Sequence, residues 1–161
     1  MENSEPQKDK TIYIGADHAG FPMKEMLKRE LASQGFDVQD LGARSLDPED
    51  DYPEFGYAVG KAVVANPGSR GIVLCGNAQG ICIVANKVRG VRAVTGFNAY
   101  AAETSRTDDD ANVLCLPGRV LSDAEAKEIT RIWLSTPFSN AERHVRRVRE
   151  VEEMEKKEIE N

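Results

Sequence analysis

An α/β protein of three layers, α/β/α, with helices on both faces of a five-stranded parallel sheet, follows from three features of this sequence. Short runs of branched apolar residues recur, as in Ile12-Tyr13-Ile14, Ile72-Val73-Leu74 and Val113-Leu114-Cys115-Leu116. They are too short for helices and are apolar at successive positions, as parallel strands buried on both faces are. Between them lie segments whose apolar residues return every three or four positions, and Gly, Pro, Asn and Asp mark the joints. Strands alternating with helices in this way build βαβ units with right-handed crossovers.

The elements follow in order. Residues 1–9 are polar and charged and are expected to form a mobile tail. Residues 11–15 make the first strand, ending in Ala16-Asp17-His18-Ala19-Gly20. Pro22 then opens a helix carrying Met23, Met26, Leu27 and Leu31, and Gly35 stops it. Residues 36–41 form a second strand, and an acidic loop, 42–51, leads through Tyr52-Pro53 into a helix with Phe55, Val59 and Val63. Asn66-Pro67-Gly68 ends that helix before the third strand. Residues 91–96 make a fourth strand, 99–106 a helix, Asp108-Asp109-Asp110 an acidic turn, and 112–116 a fifth strand. Ser122 with Glu125 reads as a capping box for a helix bearing Ile129, Ile132 and Trp133. Thr136-Pro137-Phe138 breaks that helix, and Ser139 or Asn140 caps a last, long and charged one. The first three strands are expected in the order 2-1-3, a Rossmann-like arrangement; the places of the last two are not set by the sequence. Residues 10–139 thus form the domain and 140–161 a C-terminal helix whose thin apolar stripe (Val145, Val148, Val151, Met154) suits either the domain's own helices or a second chain.

Composition excludes several classes. At 161 residues the chain is one domain, able to bury roughly 70% of its unfolded surface. A net charge of −6 gives no general attraction for nucleic acid or membranes. No apolar run approaches the roughly 20 residues of a membrane span, and MENSEPQKDK lacks a secretory signal's apolar core. Three cysteines without CxxC spacing point to a reducing, cytoplasmic setting, and two histidines make a zinc site improbable. There is no GxGxxG after the first strand and no GxxxxGK[ST], which disfavours dinucleotide and nucleoside-triphosphate sites.

The chemistry gathers around residues 70–92, RGIVLCGNAQGICIVANKVRGVR. Cys75 stands at the carboxyl end of the third strand, and Gly76-Asn77-Ala78-Gln79-Gly80 turns into an apolar helical segment. In open α/β sheets ligands collect beyond the carboxyl ends of the strands. Backbone N–H groups there can face an oxyanion, and a thiol in the same field is lowered from roughly 8.5 towards neutrality. A lone cysteine at a strand end is more often a packing residue, so the stretch needs partners. Asp17 and His18 follow the adjacent first strand, and Arg119 lies just past the fifth. An Asp after a strand is also a common helix cap. Arg143 and Arg147, four apart on the last helix, can clamp a phosphate or carboxylate, or can form a solvated basic face paired with the following glutamates.

Eight motifs in order then match a known family: Gly15-Ala16-Asp17-His18-Ala19-Gly20, Asp51-Tyr52-Pro53, Cys75-Gly76, Ala85-Asn86-Lys87-Val88, Gly90-Val91-Arg92-Ala93, Asp110-Ala111-Asn112-Val113, Gly118-Arg119-Val120 and Arg143-His144-Val145-Arg146-Arg147. Over residues 11–153 the chain resembles the type B ribose-5-phosphate isomerases and the galactose-6-phosphate isomerase subunits. The resemblance implies a cofactor-free and metal-free aldose–ketose isomerase of a sugar phosphate, ribose 5-phosphate to ribulose 5-phosphate first, working through an enediolate. It implies a homodimer, in some relatives a tetramer, whose active sites are shared and whose last helix reaches the partner. By the same resemblance Cys75 is the base, Gly76 to Gly80 hold the enediolate oxygens, and Asp17, His18 and Tyr52 contact the sugar. Arg119, Arg143 and Arg147 are implied phosphate ligands.

Three positions depart from that pattern. Asn77 and Ala78 stand where the family has Ser or Thr and then Gly. Asp108-Asp109 replaces a His-Asn pair whose His opens the sugar ring and whose Asn contacts the substrate. Asp108 therefore inherits a catalytic position and Asp109 a substrate-binding one, although an ordinary carboxylate donates protons poorly at neutral pH. Ile81 occupies a position where some relatives keep a Glu base, leaving Cys75 as the one candidate base. Cys75 and the arginines favour isomerase chemistry; Asn77-Ala78 and Asp108-Asp109 favour a relative redirected to another sugar phosphate or to binding alone.

Overall fold

Strands and helices alternate in the computed structural model, which describes residues 10–160, until two successive helices close the chain. The tail expected over residues 1–9 lies outside the described residues. The order is β1 (Thr11–Ala16), α1 (Phe21–Ser33), β2 (Asp37–Asp40), α2 (Tyr52–Ala65), β3 (Arg70–Cys75), α3 (Gln79–Ala85), β4 (Ala93–Thr95), α4 (Ala99–Asp109), β5 (Val113–Pro117), α5 (Asp123–Ser135) and α6 (Glu142–Ile159). The sheet runs β2-β1-β3-β5-β4, and every pair in it is parallel. The expected 2-1-3 order holds. β5 lies inside and the shorter β4 takes the edge.

Strand period sorts the apolar residues into two cores. Ile12, Ile14, Ile72, Leu74, Leu114 and Leu116 face α1, α4 and α5, where Leu27, Ala102, Ile129 and Trp133 meet them. The alternate residues Val73, Cys75, Val113 and Cys115 face α2 and α3, packing on Phe55, Val59, Val63, Ile81 and Ala85. Both faces are thereby covered, which is why the central strands read as unbroken apolar runs. Lys24 of α1 is fully buried, with its ammonium 2.7 Å from Asp40 Oδ2 and 2.6 Å from the Ala43 carbonyl.

Several boundaries differ from the sequence reading. β4 is only three residues long, because the Arg92 N–H donates to the Asn112 side chain (2.8 Å) and not to a strand neighbour. α4 runs on to Asp109, so Asp108 and Asp109 occupy its last turn, not a loop. Asp110 ends it in the left-handed region at φ 48, held by Arg106 Nη1 at 2.8 Å. The capping box of Ser122 and Glu125 is present. Neither Ser139 nor Asn140 is the N-cap of α6, a place taken by Ala141. Ser139 Oγ instead lies 2.9 Å from His144 Nδ1 and accepts the Ala141 N–H at 3.3 Å. α6 rests on its own domain through buried His144, through Glu155, which accepts the Gly90 N–H at 3.0 Å, and through Glu152 beside Arg92 at 3.3 Å. Val151 and Met154 of α6 stay exposed.

Candidate active site

From β1 the chain crosses to β2 on one side, and after α2 it enters β3 on the other. The crevice between the carboxyl ends of β1 and β3 is therefore the switch point at which open α/β sheets bind ligands. Asp17 follows the last residue of β1, Cys75 is the last of β3, and Arg119 comes two residues after β5. Gly20 lets these ends meet. A β-carbon there would stand 2.6 Å from the carbonyl carbon and oxygen of Leu74, so only glycine allows the start of α1 to lie directly on β3.

The result is a cavity of about 380 Å³ lined by Asp17, His18, Tyr52, Cys75, Gly76, Asn77, Gly80 and Arg119, together with Ala19 and Val120. Cys75 is 4% exposed. Its carbonyl accepts the Gly118 N–H at 2.8 Å and the Gly76 carbonyl accepts the Arg119 N–H at 3.0 Å, which ties Arg119 to the loop after the thiol. Arg119 has no carboxylate within ion-pair distance among the described residues. Asp17 acts as a cap as well as a wall, since its Oδ1 accepts the N–H groups of Ala19 (3.0 Å) and Gly20 (3.1 Å).

The loop itself departs from its expected use in two places. Ala78 is fully buried, its methyl packed under α2 and α3, and Gln79 is exposed at the start of α3; neither side chain lines the cavity. Ala78 adopts φ 67, a left-handed conformation that Ala tolerates at a cost of about 1–2 kcal/mol. Asn77 Oδ1 accepts the Gln79 N–H at 3.1 Å, closing an Asx turn and leaving the Asn77 amide nitrogen as its donor. The N–H groups of Asn77 and Ala78 meet no acceptor within the described residues, so the loop presents unspent donors beside the thiol.

Asp108, Asp109, Arg143 and Arg147 do not line this cavity. Asp108 Oδ1 accepts from Thr107 Oγ1 at 2.8 Å and lies 3.7 Å from His144 Nδ1. Asp109 and Arg147 border a separate hollow of about 340 Å³ between α6 and the β4 edge. The glutamates do not neutralise the basic face: Arg146 pairs with Glu150 at 3.9 Å, but Arg143 and Arg147 have no ion-pair partner among the described residues. Asn86 and Asn112, prominent in the motifs, are scaffold. Asn86 exchanges two hydrogen bonds with the Ala93 backbone (2.8 and 2.9 Å), and Asn112 bridges Arg92 and Gly90.

The residue that sequence reasoning missed is Asp50. Its Oδ1 accepts both the backbone N–H of His18 and lies against His18 Nδ1, each at 2.8 Å. That hydrogen bond raises the His18 pKa from its ordinary 6.5; burial and Arg119 oppose it and Asp17 adds to it. One acid within an acidic loop carries no periodic signal, so only the fold singles Asp50 out. Asp17, His18 and Asp50 offer donor atoms within 4.8 Å of one another; of these, Asp50 Oδ1 is engaged by His18 and Asp17 Oδ1 by the N–H groups of Ala19 and Gly20. Away from the cavity, a hydrogen bond with Cys115 lowers the Cys82 thiol to about 7 against the opposing effect of burial.

The family model described as Ribose/Galactose Isomerase matches residues 12–151. The chain belongs to the ribose/galactose isomerase family. Within it, the chain is 39% identical over 142 residues to the probable ribose-5-phosphate isomerase B of Mycoplasma pneumoniae, covering 88% of this chain and 93% of that one. It is 40% identical over 137 residues to ribose-5-phosphate isomerase B of Mycobacterium tuberculosis H37Rv, covering 85% of each. Among solved structures of the family, ribose-5-phosphate isomerase B of Mycoplasma genitalium with bound ribulose-5-phosphate superposes at a TM-score of 0.88, 37% identical over 91% of this chain and 96% of that one. The Clostridium thermocellum ribose-5-phosphate isomerase B superposes at 0.88, with 41% identity over 91% and 98%.

Proposed function

We propose that this family member interconverts an aldose phosphate and a ketose phosphate, with ribose 5-phosphate and ribulose 5-phosphate as the first pair. The observation that carries the reading is the meeting of Cys75 with the unspent loop N–H groups, Asp17, His18, Tyr52 and Arg119 in one cavity at the switch point. In the open-chain aldose, the Cys75 thiolate takes the proton from C2 while the carbonyl oxygen at C1 becomes the enediolate oxyanion. The unspent N–H groups of Asn77 and Ala78, in the loop 76–80, stabilise that charge. The O2 proton passes to O1, the Cys75 thiol returns its proton to C1 as the carbonyl forms at C2, and the thiolate is regenerated, so the two proton shifts balance without a redox partner. Arg119 holds the phosphate end.

Arg143, Arg147, Asp108 and Asp109 join this chemistry from a second copy of the chain. Support comes from the two arginines without an ion-pair partner among the described residues and from exposed Val151 and Met154 of α6, which suit a partner's surface. The site is then shared in a homodimer, and α6 is the element exchanged.

The test is purified protein with ribose 5-phosphate, following ketose formation, beside other five- and six-carbon sugar phosphates. Turnover of ribose 5-phosphate is expected. Turnover of a different sugar phosphate alone would reassign the substrate, and binding without turnover would reduce the site to an anion-binding module, the reading that Asp108-Asp109 favours.

A further inference from the structure

His18 is held by a single carboxylate oxygen in two ways. Asp50 Oδ1 lies 2.8 Å from the His18 backbone nitrogen and 2.8 Å from Nδ1 of its ring. The two residues are 32 apart in sequence. Asp50 comes from the loop before α2 and His18 from the turn after β1, so the contact fastens one wall of the cavity to another. The Asp50 side chain is only 8% exposed against 29% for His18. Its second oxygen, Oδ2, is buried and meets no hydrogen-bond donor. A carboxylate with one oxygen desolvated and unsatisfied is costly unless a full positive charge faces it. The cation at hand is the imidazolium of His18. With Nδ1–H committed to Asp50, Nε2 is the ring nitrogen left for a ligand in the cavity that His18 lines.

We propose that Asp50 is a positioning residue that locks His18 with its Nδ1–H turned away from the cavity and keeps it cationic, so that Nε2–H donates to an anionic oxygen of the bound sugar phosphate. The sugar-phosphate half of this statement rests on the isomerase reading above; the Asp50–His18 coupling does not. The other charges that bear on the ring are Asp17, across the same turn, and Arg119, past β5. Asp17 acts with Asp50 and Arg119 against it. Neither contacts the ring as Asp50 does, so removing the Asp50 charge should be the dominant perturbation.

The coupling can be read without any turnover. The chain has two histidines, and His18→Gln assigns both imidazoles in an NMR titration. In the parent protein the His18 midpoint is expected above the ordinary 6.5. Asp50→Asn, which keeps the shape and an acceptor oxygen, should move it down while His144 stays in place, and Asp50→Glu should restore part of the rise. A second arm titrates ribose 5-phosphate binding by calorimetry: Asp50→Asn should weaken it about tenfold at pH values where only the parent's His18 is charged, and leave it unchanged at acid pH, a value typical of one hydrogen bond to a charged group. An unmoved His18 midpoint in a folded Asp50→Asn protein would overturn the coupling whether or not the protein isomerises anything. A moved midpoint with unchanged, pH-independent binding would overturn the ligand role and leave the isomerase reading standing.

Discussion

The ring of Tyr52 lies so close over Gly80 that a β-carbon on Gly80 would stand 2.6 Å from its Cζ. Tyr52 opens α2 and Gly80 belongs to the first turn of α3, so this contact sets the height of the aromatic wall over the loop beside Cys75. Gly80→Ala should push the ring outward. Tyr52 is 38% exposed and free to swing, so the loss of stability should be small, within about 1–2 kcal/mol. The loss in kcat/KM should be larger than that, and steady-state kinetics beside thermal unfolding would separate the two. Equal losses would mean that Tyr52 is only packing.

Cys75 is the proposed base. Cys75→Ala should lower kcat by about 10²–10⁴, the usual worth of a positioned acid–base group, and leave ribose 5-phosphate binding nearly intact. Exchange of solvent deuterium into the migrating position should vanish with it. Turnover that survives the change would remove Cys75 from the mechanism.

Asp108 and Asp109 sit in the last turn of α4, where the helix dipole disfavours negative charge. Asp108→His with Asp109→Asn should relieve that conflict by about 0.3–1 kcal/mol each. It should also raise kcat/KM on a ring-closed sugar phosphate by about tenfold, or 1.4 kcal/mol, by restoring a proton donor with a pKa near neutrality. A double variant that gains neither rate nor affinity would show that the acidic pair serves another ligand.

Removal of residues from Asn140 onward takes away Arg143, Arg147 and exposed Val151 and Met154 of α6 together. The truncated protein should sediment as a monomer and lose affinity for phosphate sugars. Truncated protein that still assembles and binds would rule out the shared site. Because α6 also buries its own His144 against the domain and holds Gly90 through Glu155, the double variant Arg143→Gln, Arg147→Gln in the full chain is the control that spares the fold.

Acid stability should depend on Asp40. Burial alone would raise its pKa, but hydrogen bonds from Lys24, Lys28 and the Gly42 N–H more than offset burial and hold it below its ordinary 3.8. A carboxyl depressed in the folded state contributes stability that is fully present above the unfolded value and is lost as pH falls through the folded one. Denaturant midpoints should therefore fall below about pH 3.8 in the parent and change less in Asp40→Asn. Near neutrality that variant should be the less stable, by about 3 kcal/mol at most, since it leaves fully buried Lys24 with Glu25 Oε1 at 3.2 Å as its one remaining carboxylate.

Sequence by itself determined the layers, the strand order 2-1-3 and the strand ends at which Asp17, His18, Cys75 and Arg119 stand. Those follow from local chemistry: unbroken apolar runs such as Ile72-Val73-Leu74, helical spacing, and glycines and prolines at the joints. Motif resemblance carried the roles and the family. Tertiary structure decided what depends on pairs distant in the chain. It put β5 inside and β4 at the edge, since no local signal ranks two short apolar runs. It turned Asn86 and Asn112 into backbone braces, closed Asn77 onto Gln79, and buried Ala78. It drew Asp50 out of an acidic loop to hold His18, and it left Asp108, Asp109, Arg143 and Arg147 outside the cavity that one chain builds around Cys75. A side chain's partner is set by which elements the fold brings within about 3 Å for a hydrogen bond, and that distance is not written in spacing along the chain.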